Sequence, residues 1–421
     1  MNKRIGIIGG GQLGLMIAEE AHRQGLSVSV LDPSADAPAF AEADAHITAS
    51  FDDIEALERL GDMSDVLTYE FENVRGDILR HIEGKYNIPQ GIAPLFDSQD
   101  RLREKNNAAR GGLPVPKYIP LPASSADEDC AEVPPVCDNG SLRQMTEEQR
   151  IAELRRAVTK IGMPCVLKTR RSGYDGHGQA VIRDEDSLLN AASLLEVPCI
   201  LEQFIPFDYE CSVIMVRDTD KTIHFPVGHN IHSHGILDLC EIPSRGLYDA
   251  DGRETPLCKR IISACEGFMK KCGYKGILAI ELFVKGDTFI FNEMAPRPHN
   301  SGHYTIEGCT TSQYRELCRF LTGKPLQEPK LKASTVMKNI LGRDLDNAWS
   351  IVRKAHESGA DVSDNSKRDC AYNGEAGKGV YVHIYGKTVS RPLRKMGHIT
   401  FTPMDMDEYK ARWQQRFTDN I

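Results

Sequence analysis

The chain has 421 residues, 41% of them hydrophobic and 26% charged, an ordinary globular composition with room for two or three domains. A net charge of −9 and a pI of about 5.8 argue against broad nucleic-acid binding but leave anionic small substrates open where cations cluster. No apolar run approaches the roughly 18 residues of a membrane span, and the basic and apolar start at residues 1–8 is too short for a signal peptide.

The first element is the run Ile5 to Ile8, followed by glycines at 9, 11 and 14 and then by a second β run, Ser27 to Leu31, that ends in Asp32. Strand, G-x-G-x-x-G turn, helix, strand and acid make a dinucleotide-type fingerprint, so an NAD-dependent dehydrogenase is one reading. Residues 3–95 continue as alternating β runs and amphipathic helices (LMIAEEAHRQG, SVSVLDP, IEALERLGDM, DVLTYEFENV), which predicts a parallel sheet covered by helices. SQDRLREKNNAARGGLP then reads as a polar helix stopped by Gly-Gly and proline. Residues 122–148, rich in Pro, Ser and acids, read as a surface insertion. From 151 to about 326 shorter strands mix with helices, and a linker-like KPLQEPKLK closes the region. Residues 333–421 hold short β runs around a polar stretch, 361–379, that reads as another loop. The twelve cysteines form no CxxC, so reduced thiols in the cytoplasm are expected. Cys258, Cys265 and Cys272 recur every seven residues on one predicted helix face, a packing pattern rather than a metal set.

Five stretches carry chemistry. CVLK, ending at Lys168, runs into RRSGYDGHGQ with Gly173, Gly176 and Gly178. Glycines bare backbone N–H groups for phosphate and the lysine adds a cation, though a flexible hairpin with a surface lysine fits the spacing equally; no Walker A pattern is present. GILAIELFVKGDTFIFNEMAPRPHNSGH holds Glu281 and Glu293 within two apolar runs. Pairing about residue 287 sets these acids opposite one another, with Cβ atoms about 5 Å apart. A two-residue turn at Gly286-Asp287 would put them on opposite faces, so the pairing requires an odd loop or a bulge. Adjacent carboxylates repel unless protonated or bridged by a cation, and oxygen-only ligands suit Mg²⁺; two edge-strand acids facing water are the alternative. ILEQFIPFDYE ends a strand at Glu202-Gln203-Phe204-Ile205 before a proline and Glu210, which suits a base edge and a ribose or a plain strand end. HNIHSHG, with His229, His232 and His234, reads as a polar loop with one functional histidine, no fourth zinc ligand being evident. From Lys378 to Pro403 there are five Lys or Arg and no acid, an anion site or a solvated basic edge.

Taken in order, GGGQLG (9–14), YEFENV (69–74), KTRRSGYDGHGQ (168–179), HNIHSHGIL (229–237), NEMAPRPHNSGH (292–303) and RPLRKMGH (391–398) resemble the ATP-grasp superfamily, and within it the 5-(carboxyamino)imidazole ribonucleotide synthase family. The motifs span nearly the whole chain. The resemblance implies an α/β fold, α+β in parts: a Rossmann-like pre-ATP-grasp domain at 1–105, an ATP-grasp domain at 106–328 and a small β-rich C-terminal domain at 329–421. No fused mutase domain is expected.

The family reaction joins ATP, bicarbonate and 5-aminoimidazole ribonucleotide through carboxyphosphate, with Mg²⁺. By resemblance, Arg101 and Lys168 are nucleotide-phosphate cations. Gly173, Tyr174, Asp175, Gly176, His177, Gly178 and Gln179 form a lid over the phosphates, with Tyr174 and Asp175 also facing the imidazole ribonucleotide. Glu202, Gln203, Phe204 and Ile205 resemble the adenine hinge, Glu210 the ribose ligand and His232 a nucleotide contact. Glu281 and Glu293 match the Mg²⁺ ligands, with Asn292 beside them, and Arg297, His299, Asn300 and Ser301 match the bicarbonate and carboxyphosphate pocket. Gln12, Leu13 and Glu70 border the ribonucleotide, whose phosphate falls to Lys387, Arg394 and Lys395. A homodimer is implied, with no nucleic-acid or membrane partner. Insertions at 122–148 and 361–379 depart from the compact family pattern. Formate-dependent glycinamide ribonucleotide transformylase shares the fold and the acyl-phosphate strategy, but YDGHGQ and RPHNSGH favour the carboxylating family. The dehydrogenase reading leaves the paired glutamates and RPHNSGH unexplained.

Overall fold

The computed structural model describes residues 3–70, 72, 74–122, 145–171, 173, 178–350, 361–364 and 379–415. Tyr174, Asp175, Gly176 and His177 of the expected lid, the body of the 122–148 insertion and most of the 361–379 stretch therefore lie outside the described residues.

The N-terminal unit is a parallel sheet ordered β3-β2-β1-β4, from β1 (Arg4–Ile8), β2 (Ser27–Asp32), β3 (Ala45–Thr48) and β4 (Val66–Tyr69). Ile5, Ile7 and Ile8 are fully buried, as a central parallel strand covered on both faces requires. Helix α1 (Gln12–Arg23) returns the chain after the glycine turn, and α2 (Ile54–Asp62) starts at Asp53, whose side chain accepts from Ala56 N. Next come α3 (Gly76–Glu83), α4 (Ala93–Ser98) and α5 (Arg101–Gly111). Helix α5 is capped by Asp100 and ends at Gly112, whose φ of 94° is a left-handed stop that favours glycine.

A second sheet, ordered β5-β8-β6-β7, comprises β5 (Tyr118–Leu121), β6 (Cys165–Thr169), β7 (Gln179–Ile182) and β8 (Cys199–Gln203). Leu154 and Val158 of the helix Glu147–Ile161 pack with Leu167 and Leu201 beneath it.

The remaining strands build one large sheet. They are β9 (Tyr209–Arg217), β10 (Thr222–His224), β11 (Gly228–Ser233), β12 (Ile236–Ile242), β13 (Gly276–Lys285), β14 (Thr288–Ala295), β15 (Thr335–Leu341), β16 (Asp361–Asp364), β17 (Gly379–Ile384) and β18 (Lys395–Thr402). The order is β14-β13-β9-β11-β12-β15-β18-β17-β16, with β10 on β9.

The strands of the C-terminal β-rich part continue this sheet, β15 pairing with β12 from Leu239↔Lys338 to Ile242↔Thr335. Every residue of β15 is buried, including Lys338, whose Nζ lies 2.6 Å from Asp238 Oδ1, and Asn339, whose Nδ2 donates to Leu237 O at 2.6 Å. Two expectations change. HNIHSHG is a strand and tight turn rather than a loop, with His234 (φ 53°) and Gly235 (φ 77°) at the turn. Residues 361–364, expected as loop, pair in parallel with β17. Cys258 and Cys265, on the helix Pro256–Lys271, are fully buried in an apolar cluster, and no cysteine joins a candidate metal group among the described residues.

Candidate active site

One face of the large sheet gathers the acids. On β9, Glu210 and Ser212 alternate to the same side; Glu210 pairs with Asn230 of β11, and Ser212 with Glu281 of β13. The β13–β14 hairpin closes with Lys285 opposite Thr288, a two-residue turn. A bulge beyond Leu282↔Phe291 then shifts the register by one residue, so that Glu281 faces Glu293. Asn292 is the residue left over.

Glu281 is buried, and its Oε1 lies 2.9 Å from His299 Nε2. His232 Nδ1 lies 3.1 Å from Glu210 Oε1, and one donor atom each from Glu210, His232 and Glu281 falls within 4.8 Å of the others. Burial would lower the His232 pKa, but Glu210 and Glu281 beside it hold it above its ordinary value. Of the three clustered histidines only His232 belongs to this group; His229 pairs with Glu241 at 3.2 Å and His234 sits in the turn.

His299 opens the turn Asn300–Gly302. Gln313 holds its backbone on both sides, accepting from His299 N at 2.9 Å and donating to His299 O at 2.8 Å. Ser301 is fully buried, and Asn300 Nδ2 and Arg297 Nε have no hydrogen-bond partner among the described residues. Buried polar groups without partners are costly, and these two donors stand next to His299 and the buried Ser301.

Beside these acids sits a network of paired charges. Lys168 on β6 lies 2.9 Å from Glu202 Oε2, and Lys105 on α5 lies 3.6 Å from Glu202 Oε1. Lys105 also donates to Asn292 O and stands 5.0 Å over the Phe291 ring. Arg101 Nη1 contacts Glu293 Oε2 at 3.1 Å, and Glu104 Oε1 accepts from Met294 N at 2.6 Å. Burial alone would raise the pKa of Glu202, yet Lys105 and Lys168 hold it at about 2; Glu293, partly exposed, loses some solvation at the sheet, but Arg101 and the lysines hold it at about 2 as well. Burial pushes Glu104 the other way, above the usual carboxylate range. The Glu202 carboxylate is thus a counter-ion to two lysines, while the backbone N–H groups of Gln203 and Phe204 bond to Lys117 O (2.8 Å) and Pro164 O (3.4 Å). Lys168 pairs with Gln179 across the β6–β7 hairpin, and Gly178 (φ 71°) shapes its return. Gly173 is the other described residue of the expected lid run.

The N-terminal glycine turn is closed by carboxylates. Gly10 N donates to Asp32 at 2.7 Å; Gly11 N and Gly14 N donate to Glu70 at 2.8 and 3.1 Å. A Cβ on Gly11 would lie 2.6 Å from Glu70 Oε1. Amides that would cradle a dinucleotide pyrophosphate are therefore engaged by acids, which removes the physical basis of the NAD reading. Gln12 and Leu13 open α1 directly above this bond, Gln12 half-buried and Leu13 buried. Arg297 reaches across to Glu72 at 2.7 Å, joining the pocket to the N-terminal unit. The basic C-terminal hairpin forms a group of its own. Lys387 Nζ donates to Lys395 O at 2.8 Å, Arg394 donates to Val389 O at 2.7 Å, and Thr388 reaches Asp36 of the N-terminal unit.

Sequence reasoning missed Lys105, Glu104, Gln313 and Ser212. It also missed Asp100, whose buried carboxylate takes a two-pronged contact from Arg170 (Nε 3.0 Å, Nη2 2.9 Å). A signal existed for α5: a helix polar all round must bury charge somewhere if it packs.

The chain matches family models for a ribonucleotide synthetase preATP-grasp domain (residues 1–94), an ATP-grasp domain (142–314) and a phosphoribosylaminoimidazole carboxylase C-terminal domain (335–412). It is 35% identical over 418 residues to the N5-carboxyaminoimidazole ribonucleotide synthase of Bacillus subtilis, covering 99% of this chain and 94% of that one. To the same-named protein of Staphylococcus haemolyticus it is 34% identical over 417 residues, covering 98% and 96%. Among solved structures, the Staphylococcus aureus N5-carboxyaminoimidazole synthetase complexed with ADP superposes with a TM-score of 0.82 at 32% identity, over 99% and 97% of the two chains. The Aspergillus clavatus synthase in complex with ADP and 5-aminoimidazole ribonucleotide does so with a TM-score of 0.77 at 25% identity, over 97% and 96%. Matched from end to end by such relatives, and folded as they are, the chain belongs to the N5-carboxyaminoimidazole ribonucleotide synthase family of ATP-grasp ligases.

Proposed function

We propose that the protein carboxylates 5-aminoimidazole ribonucleotide in purine biosynthesis, using ATP and bicarbonate and releasing ADP and phosphate. The observation that carries this is the opposed pair Glu281 and Glu293, the first in contact with His299 and the second with Arg101. A bicarbonate oxygen attacks the γ-phosphorus of ATP, the bond to ADP breaks, and carboxyphosphate forms. Its breakdown to CO₂ and phosphate within the closed site delivers the carboxyl group to the substrate amine, which loses one proton. No bond to the protein forms, so the chain contributes positioning and charge neutralisation.

On this reading Arg101 and Lys168 hold the nucleotide phosphates, Gln203 to Ile205 border the base, and Glu210 and His232 face the ribose side. The opposed carboxylates of Glu281 and Glu293 are oxygen donors of the kind Mg²⁺ takes, and they would hold it. The ion supplies positive charge at the transferring phosphoryl group. Arg297, His299, Asn300 and Ser301 receive bicarbonate and carboxyphosphate. Glu70 acts one step back, fixing the turn on which Gln12 and Leu13 stand. The units at 1–105, 106–328 and 329–421 would enclose the ribonucleotide together, in a cytoplasmic homodimer. Among the described residues no helix is long and apolar enough to cross a membrane.

ADP release should require bicarbonate and 5-aminoimidazole ribonucleotide together. Dependence on formate with glycinamide ribonucleotide, or NADH binding without ATP binding, would defeat the proposal. Lys395→Ala should raise the ribonucleotide KM about ten- to a hundred-fold, the value of a charged hydrogen bond to phosphate, and leave the ATP KM alone. Initial rates against each substrate check this, and a shifted ATP KM would remove Lys395 from the clamp.

A further inference from the structure

A chain of buried hydroxyls runs beneath the site. Ser212 Oγ lies 2.7 Å from Ser301 Oγ, Ser301 Oγ lies 2.8 Å from His299 Nδ1, and His299 Nε2 lies 2.9 Å from Glu281 Oε1. The backbone N–H of Ser301 also points at His299 Nδ1, at 3.3 Å. A backbone N–H can only donate, so that nitrogen carries the lone pair, the Ser301 hydroxyl donates to it as well, and the ring proton sits on Nε2, where Glu281 accepts it.

Donor counting then fixes the rest. The single Ser301 proton goes to Nδ1, so Ser301 Oγ accepts from Ser212. The single Ser212 proton goes to Ser301, so Ser212 Oγ needs a donor of its own. Asn230 is the neighbour: its amide oxygen is 3.4 Å from Ser212 Oγ, and its amide nitrogen is buried with no partner among the described residues. Asn230 is 3% exposed and Ser301 0%, so neither is satisfied by bulk water. A half-turn of the amide presents its N–H to Ser212 and leaves each hydroxyl with one donor and one acceptor.

We propose that Asn230 and Ser212 are positioning residues, which orient His299 through Ser301 and thereby hold one oxygen of Glu281. The chain has one direction: amide to Ser212, to Ser301, to the imidazole, to the carboxylate. With it in place, the ring cannot turn a lone pair toward Glu281. Gln313 fixes the His299 backbone, and this chain fixes its ring. The kinetic consequence rests on the carboxylation reading above; the state of the ring does not.

The test uses the full chain and two variants, Ser212→Ala and Asn230→Leu, with Ser212→Cys as the conservative replacement. Ring nitrogen NMR, with the His299 signal assigned by its loss in His299→Gln, should show Nδ1 unprotonated and Nε2 protonated in the parent. In Ser212→Ala that signal should shift toward a mixture of the two ring forms. The ligand-saturated kcat should fall about ten- to a hundred-fold, as when a ligand's outer partner is removed, with the ATP KM within about two-fold. Ser212→Cys should recover part of the loss. A parent ring protonated on Nδ1, or a Ser212→Ala ring and kcat matching the parent, overturns the proposal. If Asn230→Leu fails to fold, Ser212→Ala decides alone. If the protein makes no ADP in response to bicarbonate and ribonucleotide, the carboxylation reading fails and the ring spectra still judge the chain.

Discussion

Glu293→Gln is expected to lower ATP turnover on the order of a hundred- to a thousand-fold while leaving the protein folded. Glu293 stands opposite Glu281 at the end of the bulge, and its side chain is 43% exposed at the mouth of the site, so the amide fits without repacking. What is lost is charge. The carboxylate is held at about 2, so it is fully ionised at neutral pH and balances Arg101 at 3.1 Å. Replacing it removes one of two acids that would hold a divalent ion against the phosphates, and it frees Arg101 to bind phosphate in a ground-state geometry. ADP release measured beside thermal melting separates the two effects. Near-normal turnover with an unchanged melt would remove the metal role from Glu293.

Glu202→Gln is expected to act differently, costing about 3–5 kcal/mol of stability because it strands buried cations. Glu202 is 3% exposed, with Lys168 at 2.9 Å and Lys105, itself fully buried, at 3.6 Å. As an adenine-hinge residue alone it would change only the ATP KM. As a counter-ion it should lower the melting temperature by several degrees even without nucleotide. Acid titration gives a second readout. The folded pKa of Glu202 is depressed from 4.5 to about 2, so its stabilisation is present above about pH 4.5 and is lost as pH falls toward 2. The variant should lack that portion of the parent's acid sensitivity. An unchanged melt with a raised ATP KM would restore the hinge role.

The parts of the molecule set by local rules were legible in the sequence. The N-terminal βα rhythm appears as a parallel sheet, and the Gly-Gly stop after residue 110 closes α5. The acids at 281 and 293 face each other, and the bulge needed to reconcile them with a two-residue turn is present. Contacts between distant segments were not legible. Nothing in QDRLREKNN announces that Lys105 will meet Glu202, because that meeting depends on how a helix docks on two different sheets. HNIHSHG is polar enough to pass for a loop, yet most of it is an inner strand, and only His232 on it meets the acids Glu210 and Glu281. The glycine turn taught the reverse lesson. Its spacing fits a dinucleotide, but the identity of its occupants is decided by Glu70, some sixty residues away.

The unbroken sheet from β14 to β18 bears on how this enzyme can be divided. A chain cut after residue 328 would leave β12 with a bare edge where β15 now pairs through four residues. An apolar edge of that kind invites pairing with other copies and aggregation. Units that look modular in sequence therefore share one hydrogen-bonded scaffold. Domain exchange between relatives should respect the β12–β15 seam rather than the linker before it.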